Sequence, residues 1–267
     1  MSRLASKKMK FMRNKIIPLC IAIAFCSCSS SSHLTFVNVD ATESDLNQVK
    51  EDTYKCTKYL DNLFHASPKI TLKIYKNRPV FLRALVESGR LQEKDVILFE
   101  KADGPKPLNG LFMLSPDLRG RKACHEIVHI YLDNYAQSSN GQVMWFHEGS
   151  SEYFSSLAFG AESEKIACRV IREGWSPYSF DQIETRKQWM NYYKVFEQKT
   201  MIYSQSHLLI KYLIEKYGYG PYFQLLKVSN NSPFQESFER IYKVSLSNFI
   251  EEWKAHLSRK ENNQICP

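Results

Sequence analysis

Two histidines one helical turn apart, followed after eighteen intervening residues by a glutamate, set a demanding condition on any fold this chain adopts. His125-Glu-Ile-Val-His129 lies in a stretch of helical periodicity, and a spacing of four residues puts both imidazoles on one helical face. Glu126, one residue round from His125, can approach a metal-bound water without itself being a ligand. Cys124, Val128, Tyr131, Leu132 and Tyr135 form a separate apolar stripe, so this helix can pack without using its histidines. A catalytic metal usually keeps three protein ligands and one open position. Trp145-Phe-His-Glu-Gly-Ser-Ser-Glu-Tyr153 supplies the third in Glu148, because the stretch after Gly149 has a helical pattern. Glu152, one turn later on the same face, can accept a hydrogen bond from a ligand imidazole and fix its tautomer. His147 lies off that face, and Trp145 and Phe146 read as core. The fold must therefore bring two helices face to face.

The rest of the pattern shows how. Residues 34–39 and 69–75 alternate like strands, a third strand is expected over 96–99, and a short one over 110–114 ends at Ser115-Pro116. Thr42-Glu-Ser-Asp45 has the form of a capping box, followed by Leu46, Val49, Thr53, Cys56, Leu60 and Leu63 at helical spacing. A further helix is expected over 79–87, and residues 102–110 read as a loop by their Gly and Pro content. Beyond that the chain is mostly helical, most clearly over 119–135, 148–159, 202–217 and 249–257, with Gly218 as a stop. Strands first and helices afterwards indicate an α+β fold: a small N-terminal mixed β-sheet with helices, then a mostly helical C-terminal part.

Charge excludes one class of function. The formal balance of +8 suggests a polyanion partner, but Arg3, Lys7, Lys8, Lys10, Arg13 and Lys15 crowd the first 27 residues with no acidic residue among them. Without these six the balance falls to +2, too little for a nucleic-acid surface. The basic stretch is followed by a ten-residue apolar run, Ile16 to Phe25, too short to span a bilayer, which takes about 20 residues. Phe25-Cys-Ser-Cys28 and the serines that follow resemble the lipobox of bacterial lipoproteins. That resemblance implies a signal peptide over 1–27, lipidation at Cys28 and a serine tether over 28–33. It also implies an exported protein held at the cell envelope by its lipid. Residues 34–260 then form a single domain and 261–267 a tail. Cys56, Cys124, Cys168 and Cys266 remain, which permits up to two disulfides in three connectivities.

The spacing His125-x3-His129-x18-Glu148, with Glu148 in a W-x-x-E-G segment, is similar to the gluzincin metallopeptidases. It most closely resembles the peptidase-MA-like domains of bacterial exported proteins, over about residues 69–259. The resemblance implies a thermolysin-like zincin core and one Zn²⁺ per chain held by His125, His129 and Glu148. Glu126 would be the general base on a zinc-activated water, in hydrolysis of a peptide or protein substrate. It also aligns Tyr203, at the start of a later helix, with the family's oxyanion-stabilising tyrosine, and His207 follows one turn on. The G-A-M-E-N type segment with which aminopeptidases grip a free amino end is absent, so endopeptidase action is expected. Two alternatives use the same residues: a zinc amidase acting on cell-wall peptides, and a non-catalytic zinc-binding lipoprotein serving as a scaffold.

Overall fold

The sheet is built by alternation. In β2 (Ile70–Ile74), Ile70, Leu72 and Ile74 are buried while Thr71 and Lys73 are only half-covered, so one face of the strand packs inward. Beside it lie β1 (Leu34–Asn38) and β3 (Leu111–Leu114), in the order β1-β2-β3, with both pairings parallel. Among the described residues the sheet is therefore all-parallel, where the sequence led to the expectation of a mixed one. A parallel pair needs a crossover long enough to carry the chain back, and a 22-residue helix, α1 (Glu43–Phe64), supplies it between β1 and β2. Alternation identifies a strand's faces but not its direction. The helix α2 (Arg78–Glu87) follows β2, capped by Asn77, whose side chain accepts from the Val80 amide.

This computed structural model describes residues 33–88, 111–114, 120–137, 143–160, 177–192, 195–229 and 231–258. The segments read as signal, lipidation site Cys28 and tail lie outside them, as do the strand over 96–99, the loop over 102–110, Cys168 and Cys266. The described residues fall in one compact unit, Ser31–Pro267. None of their helices is long and apolar enough to cross a membrane.

Helix α1 starts as expected, Thr42 accepting a hydrogen bond from the Asp45 amide. Its partner is α3 (Arg121–Ala136), the helix that carries both histidines. Three links join the two. Asp52 accepts from the Gly120 amide at 2.7 Å, Cys56 is bonded to Cys124, and the Tyr131 hydroxyl donates to Asp61 at 2.6 Å. Residue numbers rise together along both helices, so they run in the same direction. Phe64 closes the series with its ring 5.6 Å from that of Tyr131 and 5.8 Å from that of Tyr135. At the head of α3, Gly120 has φ +55° with ψ −124°, a combination that only glycine adopts without strain.

The remaining helices follow α3 along the chain. They are α4 (Met144–Phe159), α5 (Arg186–Asn191), α6 (Phe196–Tyr217), α7 (Tyr219–Val228), α8 (Phe234–Tyr242) and α9 (Leu246–Ser258). Helix α4 begins four residues before the expected start at 148, because the Glu184 carbonyl accepts from the Met144 amide at 2.7 Å. Trp145 and Phe146 thus enter its first turn and are fully buried among Phe180, Tyr222 and Phe234. Helix α4 is rich in serine, and Ser150, Ser151, Ser155 and Ser156 each give their hydroxyl proton to a carbonyl one turn back. Small side chains let α6 come close: a Cβ on Gly149 would stand 2.6 Å from the Ser206 carbonyl oxygen.

Candidate metal centre

The side chains of His125 and His129, on α3, and of Glu148, on α4, meet in the buried space between the two helices. Nε2 of His125 lies 3.2 Å from Nε2 of His129 and 3.2 Å from Oε2 of Glu148, and Nε2 of His129 lies 3.5 Å from the same oxygen. A tetrahedral zinc with ligand bonds of 2.0–2.1 Å spaces its donors about 3.3 Å apart, so this donor set fits one such ion. The chemistry of the donors agrees. Burial works against a charge on His125, yet hydrogen bonding to Glu148 and Glu152, and the charges of Glu152 and Glu126, hold its pKa up at about 10. Burial likewise opposes ionised Glu148, yet the charge of His129 and hydrogen bonds from both histidines keep its carboxyl well below the ordinary value. In the absence of metal the triad retains a proton where a cation is wanted.

Glu126 takes no part in the triad. Burial pushes its carboxyl up to about 8; the positive charge of His125 opposes that shift, and Glu148 and Glu152 reinforce it. A carboxyl poised near neutrality is suited to accepting and releasing a proton. Tyr203, on α6, is half-buried, its ring centroid 5.9 Å from that of His125 and 5.1 Å from that of Trp189. His207, one turn on, is buried and meets Tyr153 edge-on at 5.9 Å.

Two rows of α4 side chains support the two histidines. In the Glu148 row, Oε1 of Glu152 stands 2.9 Å from Nδ1 of His125, while its other oxygen pairs with Arg121 at the head of α3. In the adjoining row, His147 stacks on His129 with centroids 4.4 Å apart and an angle of 24°. Its Nε2 lies 3.0 Å from Asp133, which sits one turn beyond His129. Burial, then the charge of His129, lowers the His147 pKa, which suits a neutral ring. Ser151, in that same row, lies 2.9 Å from Nδ1 of His129. Arg121, Asp133, His147 and Ser151 are the neighbours that spacing alone did not bring into the site. A reading at i and i+4 from His147 reaches Ser151, but only the stack shows which imidazole this row faces.

Comparison with known proteins leaves the reading to these residues. No family profile matches the chain, and no solved structure does. The protein titled "Uncharacterized protein YhcO" of Bacillus subtilis (strain 168) is 26% identical over 131 residues, covering 49% of this chain and 37% of that protein.

Proposed function

We propose that the chain is a zinc-dependent metallopeptidase of the gluzincin type, an endopeptidase acting on peptide or protein substrates. The observation that carries this reading is the buried His125–His129–Glu148 triad, whose donor spacing suits one tetrahedral ion. Those three residues would hold Zn²⁺, which when bound supplies Lewis acidity toward a carbonyl oxygen and makes water a nucleophile near neutral pH. Glu126 accepts the proton of the attacking water and returns it to the leaving amine. Tyr203, whose ring lies against that of His125, donates its hydroxyl to the developing oxyanion, a contact worth about 3 kcal/mol in comparable sites. Glu152 and Arg121 hold the His125 ring in place. An extended substrate would pair along β3, which lies at one edge of the sheet among the described residues. Export and a lipid on Cys28 would hold the enzyme at the envelope.

The test combines metal content with hydrolysis of an unfolded protein by the full-length chain. Wild type should carry about one zinc and cleave the substrate. Glu126→Gln should keep the zinc and lose turnover by at least about 100-fold, the scale of a positioned acid–base group. Zinc without cleavage of protein or cell-wall peptides would make the domain a scaffold. No zinc in the folded wild type would refute the metal site itself.

A further inference from the structure

The proposed site treats its two histidines unequally. His125 has a carboxylate at Nδ1, the usual device for orienting a metal-binding imidazole. Among the described residues no carboxylate meets Nδ1 of His129. Its Nδ1 meets the hydroxyl oxygen of Ser151 at 2.9 Å. A hydroxyl can either donate or accept, so by itself it leaves the tautomer of its partner open.

The surroundings of Ser151 close that choice. Its side chain is fully buried, and the same oxygen lies 3.1 Å from the His147 carbonyl. That carbonyl can only accept, and Ser151 is placed to give it its proton, as Ser150, Ser155 and Ser156 give theirs to carbonyls one turn back on this helix. The Ser151 oxygen then has only lone pairs to offer His129. In the neutral imidazole, the form that binds a metal, Nδ1 then carries the proton and the free lone pair falls on Nε2, the atom that faces His125 and Glu148. The carbonyl that orients Ser151 belongs to His147, whose ring is stacked on His129. One residue thus buttresses the imidazole with its ring and fixes its proton through its backbone.

We propose that Ser151 is a positioning residue for the metal centre: its hydroxyl relays the fixed polarity of the His147 carbonyl to His129 and so selects the metal-binding tautomer. This rests on the metal-site reading above and adds a residue to it.

The experiment compares full-length wild type with Ser151→Ala, Ser151→Thr and Ser151→Val. Threonine and valine have nearly the same shape and differ in the hydroxyl, so together they separate hydrogen bonding from packing. Zinc affinity is measured by competition with a chelator, and ligand geometry by the visible spectrum of the cobalt(II)-substituted protein. Ser151→Ala and Ser151→Val should bind zinc about 10- to 100-fold more weakly, the range found for supporting partners of metal ligands. Their cobalt spectra should be altered, while Ser151→Thr should match wild type in both readouts. Zinc binding by Ser151→Ala as tight as in wild type overturns the proposal and leaves the metal site standing. So does weakening in Ser151→Thr equal to that in Ser151→Val, because volume would then be the cause. If the valine and threonine variants do not fold, the affinity and cobalt spectrum of Ser151→Ala decide alone. A wild type that binds no zinc removes this proposal together with the reading on which it rests.

Discussion

Replacing Gly149 with alanine sets two effects of known size against each other. In an exposed helix the change would be favourable, since alanine exceeds glycine in helix propensity by about 1 kcal/mol. Here the new Cβ would meet three atoms of Ser206 on α6: its carbonyl oxygen at 2.6 Å, its carbonyl carbon at 2.7 Å and its Cβ at 2.9 Å. Two of these are backbone atoms, so no rotamer change relieves the overlap, and α4 and α6 must part by about half an ångström. Overpacking of a tight core costs about 1–3 kcal/mol, and a backbone clash belongs at the upper end. The clash wins, leaving a net loss of about 2 kcal/mol. For a domain of this size that lowers the melting midpoint by about 4–8 °C. The shift also moves Glu148, the neighbouring residue, away from histidines seated on another helix, so zinc affinity should fall with stability. Thermal unfolding followed by circular dichroism, with and without zinc, measures both. A Gly149→Ala protein that melts at or above wild type would refute the close approach of the two helices.

Three other outcomes are expected. The Cys56–Cys124 bond spans 68 residues, and its loss should destabilise the protein by about 4 kcal/mol on the chain-entropy account; urea unfolding of the Cys56→Ser/Cys124→Ser double variant within about 1 kcal/mol of wild type would contradict this. Tyr131→Phe removes the bond to the Asp61 carboxylate and should cost about 1–2 kcal/mol in the same assay, whereas an unchanged midpoint would make that link between α1 and α3 dispensable. In the metal-free chain the folded pKa of His125, about 10, lies above its ordinary value of 6.5, so its contribution to stability is complete below 6.5 and disappears as pH rises through about 10. Melting of metal-free wild type should therefore decline more steeply from pH 7 to 10 than that of His125→Gln, and parallel profiles would sink the assignment.

What could be read in advance followed from local periodicity. The spacing of four in His125 and His129 and the face shared by Glu148 and Glu152 need only helix geometry, and the two helices meet where those residues require. The capping of α1 by Thr42 and the alternation of β2 were equally local. Direction in the sheet was not, because whether β1 and β2 run parallel depends on where α1 lays the chain down. The start of α4 escaped for a similar reason: Val143 has no side-chain cap, and the stabilising acceptor, the Glu184 carbonyl, lies 40 residues along the chain. The short α5 and the helices α7 and α8 lacked a long apolar repeat and are held by aromatic packing, as of Phe234 and Phe238 against Trp145, Phe146 and Phe249. Ser151 and Asp133 look like ordinary polar helix residues until the stack of His147 on His129 identifies their neighbour. The partner of Cys56 became definite only when α1 lay along α3.

That bond closes a covalent ring through residues 56–124, enclosing the end of α1, then β2, α2 and β3, with Cys124 immediately before His125. Cutting a ring once opens it without dividing it. A protease that severs one peptide bond between Cys56 and Cys124 therefore leaves a single covalent molecule. Such a nicked chain would keep its full mass in a denaturing gel without reductant and separate into two fragments with it. The helix bearing both histidines would stay fastened to α1 after the cut, so damage inside the ring would not part the metal centre, whose three residues all follow Cys124, from the strand and helix that open the fold.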